Sequence, residues 1–561
     1  MRYDNWNIKP KATSEQTENL GLSNVISTLL VNRGIYDRNA LDEFLNPPLS
    51  TVHDPLLLNE MQICLDRLIV AIENRETIGV FGDFDTDGLT GAAVLTHGLQ
   101  NLGLIVFPYV PHRVDEGHGV SKQSLDYFKN RNVSLIVTVD CGISSSEEIL
   151  IGKNMGMDTI ITDHHTSTNI MPEAVAIVNP SHDSGYPFNH LTGVGTALKV
   201  MQGLYHFYDK PLPDVLYAFT ALGTLSDVGI MLGENRYFVK KGLEVLRNTK
   251  IIGLDALINI SNLNKSRLTT QDLSFGVIPR INAAGRIEHA KLSLELLLSE
   301  NTKEASGLAI RLENLNKQRQ KMTEEAMKEA RQQVKLDSNG TIPAIIFAGK
   351  ANWKPGILGL IAGRLAEEFY RPAIVACGTG DIFRASARSI KEFNMIDSFD
   401  HCSEYFDRFG GHPMAAGFTI NKLKLKSFRQ AITLLAEDDL KGLKSGPELG
   451  IDSEIMLSWI NFDFIQFLKM MEPFGSANSE PIFMSKNVEI LDSKTVGVNS
   501  DHLKLSLIHE DRIIDAIAFR QGNRIKESKR RPIDIAYKIG VNYWNGRETT
   551  SLIVEDFRQT E

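Results

Sequence analysis

Short apolar runs alternate with helix-like stretches from residue 77 to about residue 300. The runs are TIGVFGD (77–83), LIVFPYV (104–110), VSLIVTVD (133–140), DTIITDHH (158–165) and AVAIVNP (174–180). Stretches such as GLTGAAVLTHGLQNLG and SSEEILIGKNMG lie between them. Continuous apolar strands that alternate with helices are typical of a parallel sheet covered on both faces. The pattern therefore predicts an α/β domain over residues 76–301.

The pattern outside this domain predicts four further segments. Apolar residues at helical spacing predict an N-terminal helical segment over residues 1–75. Residues 302–337 contain no proline and a single glycine, which predicts a connecting helix about 50 Å long. A smaller α/β segment follows over residues 338–446, with a strand-like PAIIFAG at its start. Residues 447–561 contain five stretches in which apolar and polar residues alternate with period two, which favours a small OB-like β-barrel.

The composition is that of a soluble globular protein, with 42% hydrophobic and 23% charged residues. The formal net charge is −9, so a nucleic-acid-binding protein of this kind must concentrate its positive charge in a cleft. No run approaches the roughly 18 apolar residues of a membrane span, and the N-terminus lacks the apolar core of a signal peptide. The four cysteines form no CxxC pair, which indicates a reducing cytoplasm and argues against a zinc thiolate site.

Acidic residues and histidines fall at the ends of three predicted strands and one predicted helix. In chain order these residues are Asp83, Asp85, Asp87, Asp140, Asp163, His164, His165 and Asp227. Ligands of open parallel sheets bind at the carboxyl ends of the strands, so we expect the three strand-end groups to converge at one rim.

Carboxylates that meet at one place repel each other unless cations neutralise them. Oxygen ligands with one imidazole suit Mg²⁺ or Mn²⁺, and two such ions about 3.5–4 Å apart stabilise both the attacking and the leaving oxygen at phosphorus. A preference of aspartate for turns explains one or two such positions, but not the whole set. Asp227, taken alone, also fits an ordinary helix cap. The set predicts a metal-dependent phosphoesterase.

The strings GDFDTDG, VTVDCGIS, TDHH and GTLSDV resemble, in order and spacing, the motifs of the DHH phosphoesterase superfamily. Further strings, among them PHRVDEGHG, PRINAAGRI, FGGHPMAAGFTI and LIVEDFR, resemble the RecJ single-strand-specific DNA exonucleases over about residues 30–558. The resemblance implies a DHH domain, a DHHA1 substrate-binding domain and an OB-like single-strand-binding domain. It also implies a 5′–3′ exonuclease of DNA repair and recombination, which releases 5′-mononucleotides by two-metal hydrolysis with Mn²⁺ or Mg²⁺.

The same resemblance implies roles for individual residues. The implied metal ligands are Asp83, Asp85, Asp87, Asp140, His164 and Asp227, with Asp140 bridging both ions. The implied catalytic residues are Asp140, His165 at the scissile phosphate, and Asp163, which orients its neighbours. The implied substrate-binding residues are Arg113, Arg280, Asn282, Arg286, Ser386, Arg388, Gly411 and His412. The chain departs from the family pattern at Phe81, where other superfamily members carry histidine, at Lys354, and at Ala385 and Ala387, where glycines are usual.

Two alternative functions stay open at this point. One is an oligoribonucleotide or cyclic-dinucleotide phosphodiesterase of the same superfamily, although a dinucleotide needs no strand-holding barrel. The other is a non-catalytic replication scaffold, although here the ligand positions are filled. The resemblance further implies a monomer that acts on single-stranded DNA, has no membrane contact, and has a single-strand-binding protein and a helicase as candidate partners.

Overall fold

The computed structural model describes residues 3, 5–166, 170–182, 185–338, 342–443, 446–497, 499–510, 512–529, 532–544 and 547–560. The strands are β1 (Asn5–Ile8), β2 (Thr77–Gly82), β3 (Ile105–Tyr109), β4 (Leu135–Val139), β5 (Asp158–Thr162), β6 (Ala176–Val178), β7 (Ile346–Gly349), β8 (Ala373–Cys377), β9 (Ile382–Arg388), β10 (Phe406–His412), β11 (Ala415–Asn421), β12 (Glu448–Ile451), β13 (Ser453–Glu454), β14 (Phe483–Val496), β15 (His502–His509), β16 (Arg512–Ala518), β17 (Ile533–Trp544) and β18 (Arg547–Gln559). The helices are α1 (Ser14–Leu20), α2 (Asn24–Val31), α3 (Arg38–Leu45), α4 (Met61–Glu73), α5 (Thr86–Asn101), α6 (Lys122–Lys129), α7 (Ser146–Asn154), α8 (Gly193–Phe207), α9 (Val215–Ser226), α10 (Gly233–Asn248), α11 (Ile252–Ile260), α12 (Thr270–Asp272), α13 (Ile278–Ile287), α14 (Lys291–Leu297), α15 (Thr302–Ser338), α16 (Pro355–Phe369), α17 (Met395–Asp400), α18 (Leu425–Asp439) and α19 (Phe462–Met470).

The predicted α/β domain is confirmed. Strands β2 to β6 form one sheet in the order β3-β2-β4-β5-β6, and all of its pairings are parallel. Val80 and Val137 pack on one face of the sheet in the large core that includes α5, α8 and α9. Phe81 and Ile136, from the same two strands, pack on the other face with Phe128 of α6. Both faces of the sheet are therefore covered. The rim at the carboxyl ends of the strands remains as the place where a ligand can bind.

Helix α15 confirms the predicted connecting helix and joins two hydrophobic cores. Its 37 residues span about 55 Å. Ala305 and Leu312 in its first half belong to the core of the parallel-sheet domain. Ala326 and Ala330 in its second half belong to the core of the next domain. None of the helices in the described parts of the chain is long and apolar enough to cross a membrane.

The segment after α15 is a second, smaller α/β domain. Its sheet has the order β10-β11-β9-β8-β7, in which only β7 and β8 pair in parallel. Helix α16 packs against this sheet through Ile357, Ile361 and Leu365. Strand β9, with Ser386 and Arg388, lies between β11 and β8 and is thus fixed on both sides.

The C-terminal strands form the predicted OB-like barrel. Strands β14, β15, β16, β18 and β17 pair in that order, and a further pairing of β14 with β17 closes the barrel. The unpredicted strand β1 pairs in parallel with β12, and Trp6 donates a hydrogen bond of 3.0 Å to Asp556. A four-residue strand has no periodicity that reveals its partner in the sequence.

The chain divides into two compact units. The terminal unit contains residues 1–47 and 442–561, and the central unit contains residues 48–441. The N-terminal helical segment predicted over residues 1–75 is thereby split between the two units. Helices α2 and α3 of this segment were predicted and are present in the terminal unit. The domain limits drawn from the sequence stay predictions.

Candidate metal centre and substrate pocket

The carboxyl ends of β2, β4 and β5 bring the predicted ligands together. Potential ligand atoms lie within 4.8 Å of one another in three overlapping groups, namely Asp83, Asp85 and Asp140; Asp87, His164 and Asp227; and Asp140, His164 and His165. Asp140 and His164 each belong to two of these groups. The structure therefore gathers all six predicted metal ligands in one cluster. Their roles as ligands stay predictions.

The N-termini of two helices hold Asp85 and Asp87 in place. Asp85 caps α5 and accepts hydrogen bonds from the backbone N–H groups of Asp87 at 3.0 Å and Gly88 at 3.3 Å. The carboxylate of Asp87 accepts from the N–H groups of Gly193 at 2.8 Å and Val194 at 3.0 Å, at the start of α8. The positive ends of both helix dipoles thus favour negative charge at this rim.

Asp140 lies at the centre of the cluster in a strained backbone conformation. Its φ is +60°, and its N–H donates to the carbonyl of Thr162 at 3.0 Å. Its Oδ1 lies 3.1 Å from Nε2 of His164. A Cβ atom on Gly193 would lie 2.5 Å from Cβ of Asp140, so glycine is required there for α8 to approach. Strain of this kind costs about 1 kcal/mol or more and is held by the surrounding structure.

Asp163 has a different task from the other aspartates. It is fully buried and accepts from the N–H groups of Ile143 at 3.1 Å, His164 at 2.8 Å and His165 at 3.1 Å. Nδ1 of His165 lies 2.7 Å from Oδ1 of Asp163. Burial alone would lower the pKa of His165, but the hydrogen bond to Asp163 and the charge of that carboxylate raise it to about 9. Asp163 therefore fixes the two histidines and keeps His165 protonated at neutral pH.

The cluster has an excess of negative charge that calls for cations. Burial, followed by repulsion from neighbouring carboxylates, raises the pKa of Asp87 and of Asp227 to about 7. The same causes raise the pKa of Asp140 well above its ordinary value. Oδ1 of Asp83 is buried without a hydrogen-bond partner among the described residues. Burial lowers the pKa of His164, which favours the neutral imidazole that a metal requires. This donor set fits divalent cations that accept oxygen and imidazole ligands.

Two departures from the family pattern take different positions in the structure. Phe81 is buried in the hydrophobic core and its ring stacks on Tyr109 with centroids 5.8 Å apart, so this position offers no ligand. Lys354 precedes α16, and its Nζ donates to the carbonyl of Ile287 at 3.4 Å. The residue thus ties the smaller α/β domain to the parallel-sheet domain.

Several predicted substrate-binding arginines form a second cluster beside the acidic one. Nε of Arg113 donates to the carbonyl of Gly285 at 3.1 Å, and its guanidinium lies 3.8 Å from the centroid of the Phe84 ring. Nη1 of Arg388 donates to Oγ of Ser386 at 3.3 Å. Burial, followed by repulsion from Arg113 and Arg319, lowers the pKa of Arg286 to about 9. Guanidinium groups that are buried close together are favoured when an anion lies between them.

Two other predicted residues already have protein partners. Nε of Arg280 donates to Glu313 of α15 at 2.6 Å. Oδ1 of Asn282 accepts from the N–H of Thr86, the first residue of α5, at 3.1 Å. Arg280 thus braces α13 against α15, and Asn282 fixes the start of α5 beside the acidic cluster. Substrate contact by either side chain stays a prediction.

Arg319, on α15, is a candidate that sequence reasoning missed. Its guanidinium donates to Asn316 at 2.8 Å, and its charge contributes to the low pKa of Arg286. Arg319 lies in a helix with two other arginines, and no motif distinguishes it from them.

The β10–β11 hairpin brings the smaller α/β domain to the acidic cluster. The imidazoles of His412 and His165 are almost parallel, at 10°, with centroids 6.3 Å apart. Gly411 has a φ of +147°, and a Cβ atom there would clash with Ala416 on the paired strand. Glycine is thus required for the hairpin that presents His412.

An acidic cluster of this kind on a parallel sheet, with a basic pocket to which a second α/β domain contributes, defines a DHH-type phosphoesterase. Residues 77–224 match the DHH family, N-terminal domain, and residues 341–438 match the DHHA1 domain. Residues 451–556 match the RecJ OB domain.

Individual relatives agree over nearly the whole chain. The single-stranded-DNA-specific exonuclease RecJ of Bacillus subtilis is 35% identical over 568 residues, which cover 100% of this chain and 71% of that protein. The Escherichia coli protein of the same name is 31% identical, covering 89% of this chain and 90% of that protein. The crystal structure of RecJ in complex with Mn²⁺ from Thermus thermophilus has a TM-score of 0.85 at 25% identity, covering 99% of this chain and 80% of that chain. The chain belongs to the family of RecJ single-stranded-DNA-specific exonucleases.

Proposed function

We propose that this chain is a metal-dependent exonuclease that hydrolyses single-stranded DNA from the 5′ end and releases 5′-mononucleotides, in DNA repair and recombination. The observation that carries this proposal is the contact between the two α/β domains at His165 and His412. The acidic cluster, which fits divalent cations, thus lies beside a pocket of half-buried arginines to which both domains contribute. The phosphodiester that is cut needs the metal-accepting cluster. The neighbouring phosphate of the same strand needs the cationic side chains of the pocket.

The acidic cluster would hold two divalent cations, Mn²⁺ or Mg²⁺, through Asp83, Asp85, Asp87, Asp140, His164 and Asp227. When bound, such ions polarise a phosphoryl oxygen and lower the pKa of water. Asp140 belongs to two of the three overlapping groups of potential ligand atoms, and in this proposal it would serve both ions. Burial lowers the pKa of His164, which favours the neutral imidazole that could coordinate through Nε2.

His165 is the residue of the cluster best suited to contact the scissile phosphate. Its Nδ1 is held by Asp163, which leaves Nε2 for the substrate. With a pKa of about 9, the imidazole carries a positive charge at neutral pH. A charged N–H donor to a phosphoryl oxygen compensates the negative charge that develops there during hydrolysis.

The polarity of digestion follows from the arginine pocket. Ser386 and Arg388, with His412 on the neighbouring hairpin, offer a hydroxyl, a guanidinium and an imidazole for a terminal phosphate. The central unit is fixed internally by α15, so a bound 5′-phosphate would place the next phosphodiester at the acidic cluster. Digestion from the 5′ end in single-nucleotide steps is the expected result.

The OB-like barrel would hold the strand by charge and base stacking. The exposed Phe519 lies next to His502, with ring centroids 5.3 Å apart, and Lys504 lies on the same strand as His502. Stacking on such rings is worth about 1–3 kcal/mol per base and tolerates any sequence.

A single-strand enzyme depends on another activity to open duplex DNA. We therefore infer that a helicase and a single-strand-binding protein are its partners, and that it acts as a monomer in the cytoplasm. The four cysteines are buried free thiols, which agrees with a reducing compartment.

Digestion of end-labelled single-stranded DNA, duplex DNA and RNA, with and without divalent metal, tests the proposal. We expect mononucleotides from single-stranded DNA only, and only with metal. Preferred turnover of dinucleotides or RNA would favour an oligonucleotide phosphodiesterase instead. Absence of hydrolysis with both Mn²⁺ and Mg²⁺ would contradict an enzymatic role.

A further inference from the structure

An unassigned histidine, His118, reaches the acidic cluster from the loop between β3 and α6. Its Nδ1 lies 3.3 Å from Oδ2 of Asp83, and its ring packs on Phe84 with centroids 4.3 Å apart. Asp83 is buried, and its other oxygen has no hydrogen-bond partner among the described residues. The His118 side chain is 75% exposed, so it approaches the cluster from the solvent side.

The loop that carries His118 is fixed by Glu116. The carboxylate of Glu116 accepts from the hydroxyl of Tyr109 at 2.8 Å, the N–H of His112 at 2.7 Å and the hydroxyl of Ser121 at 2.6 Å. Beyond His118, the N–H of Val120 donates to Oγ of Ser145 at 3.2 Å. The backbone of the loop is therefore anchored on both sides of His118, at Glu116 and at Val120.

The distance between His118 and Asp83 fits a shared cation. Two ligands about 2.1 Å from one ion, at a right angle to each other, lie about 3.0 Å apart. The neighbouring group of Asp83, Asp85 and Asp140 supplies only oxygen atoms. The group of Asp87, His164 and Asp227 includes one imidazole. These two groups are here called the two halves of the cluster, and they differ in the ligand atoms that they offer.

We propose that His118 is a ligand of the cation held by Asp83, Asp85 and Asp140, which rests on the proposed two-metal function. His118 lies outside the three groups whose ligand atoms are within 4.8 Å of one another, so its exposed imidazole would move towards the ion, which would then have three carboxylates and one imidazole. Imidazole is a poorer ligand for Mg²⁺ than for transition metals such as Mn²⁺. His118 therefore biases this half of the cluster towards Mn²⁺.

Pulsed electron paramagnetic resonance of the full-length, DNA-free protein loaded with Mn²⁺ tests the proposal, because it detects nitrogen atoms bound to the metal. The wild type should show nitrogen couplings from His118 and His164. His118→Asn should lose one coupling and bind one Mn²⁺ about tenfold more weakly, while its Mg²⁺ affinity changes much less. His112→Asn is the matched control on the same loop, because His112 pairs with Asp115 and should leave all couplings unchanged.

The outcomes separate this inference from the proposed function. If the His118→Asn protein binds Mn²⁺ with unchanged nitrogen couplings and affinity, His118 is a hydrogen-bond neighbour of Asp83 and the inference is wrong. If the wild type binds no Mn²⁺, the inference is also wrong, and if it binds neither Mn²⁺ nor Mg²⁺, the two-metal function itself fails. Loss of one nitrogen coupling in His118→Asn and of the other in His164→Asn supports both the role of His118 and the two-metal function.

Discussion

The imidazole rings of His165 and His412 face each other across the junction of the two α/β domains, with centroids 6.3 Å apart. One ring follows β5 of the parallel sheet, and the other ends β10 of the smaller sheet. Helix α15 packs into the cores of both domains, which holds the two rings at this distance. The groups predicted to bind metal and phosphate thereby meet at one place.

Replacement of Asp140 by asparagine should abolish cleavage and leave the fold intact. Asparagine tolerates the left-handed backbone at this position, where φ is +60°, better than alanine does. Loss of a carboxylate shared between two ions should cost about 4 kcal/mol in transition-state stabilisation, or about a thousandfold in rate. Exonuclease assays together with thermal unfolding measure both effects. Asp126→Asn, at an exposed carboxylate of α6, is the control.

Retention of more than about a tenth of the wild-type rate by a folded Asp140→Asn protein would show that the metal assignment is wrong. The thermal stability of the metal-free Asp140→Asn protein offers a second check. Burial and neighbouring carboxylates raise the pKa of Asp140, so removing its charge should not lower the melting temperature at neutral pH.

Substitution of the two histidines of the TDHH string should affect different properties, namely metal affinity for His164 and turnover for His165. His164 lies 3.1 Å from Asp140 and belongs to two ligand groups, so His164→Ala should weaken metal binding. His165 is held by Asp163 and is charged, so His165→Ala should lower kcat with little change in metal affinity. Calorimetric titration with Mn²⁺, alongside kinetics at saturating metal, distinguishes the two. An equal loss of metal affinity in both variants would reverse the assignment of His165.

Metal should stabilise the protein more as the pH rises. Asp87 and Asp227 have pKa values of about 7 in the folded metal-free protein, against about 3.9 for an unfolded aspartate. Between these values the folded state binds more protons than the unfolded state, so these groups lower the free energy of unfolding as pH increases. Divalent cations replace those protons.

The increase in melting temperature caused by Mn²⁺ should therefore be small at about pH 5 and large at about pH 8. Thermal unfolding with Mn²⁺ or with a chelator, at both pH values, measures this difference. In Asp87→Asn the increase should be smaller at the higher pH. A metal effect that is equal at both pH values would contradict the proton–metal competition.

Residues 48–441 should turn over short substrates without the terminal unit. This central unit contains the whole acidic cluster and the arginine pocket. Deletion from residue 447 alone would remove β12, the partner of β1, so both terminal segments should be removed together. We expect near-normal dinucleotide turnover and a strongly raised KM for long single strands, because base stacking on the barrel is lost. Equal losses on both substrates would show that the terminal unit supports the active site.

Much of the architecture could be predicted from local patterns. Buried parallel strands are apolar throughout, so β2, β4 and β5 were visible in the sequence, and the rule that ligands bind at their carboxyl ends predicted the acidic cluster. Helix α15 was visible because it lacks proline and has apolar residues on one face. The five barrel strands alternate with period two, which also indicated their fold.

Features that depend on long-range contacts could not be predicted in this way. The pairing of β1 with β12 joins segments more than 400 residues apart. Arg319 becomes a candidate only because α15 packs beside Arg286. His118 precedes a glycine in a loop without periodicity, and its distance to Asp83 is set by Glu116 and the fold of that loop.

The arginine pocket should make the enzyme depend on a 5′-phosphate. Arg388→Ala should raise KM at least about tenfold for 5′-phosphorylated strands, because a charge-assisted hydrogen bond is worth about 1.5–3 kcal/mol, and much less for 5′-hydroxyl strands. Arg331→Ala is the control, since Arg331 pairs with Glu368 on α16, outside the pocket. Equal increases for both kinds of strand would show that Arg388 does not bind the terminal phosphate.

The most direct test of the account is digestion of single strands that are blocked at one end, in the presence of Mn²⁺. A strand with a blocked 3′ end should be degraded to mononucleotides from its 5′ end, and a strand with a blocked 5′ end should stay intact. If the blocked 3′ end stops digestion and the blocked 5′ end does not, both the phosphate pocket and the proposed polarity are contradicted.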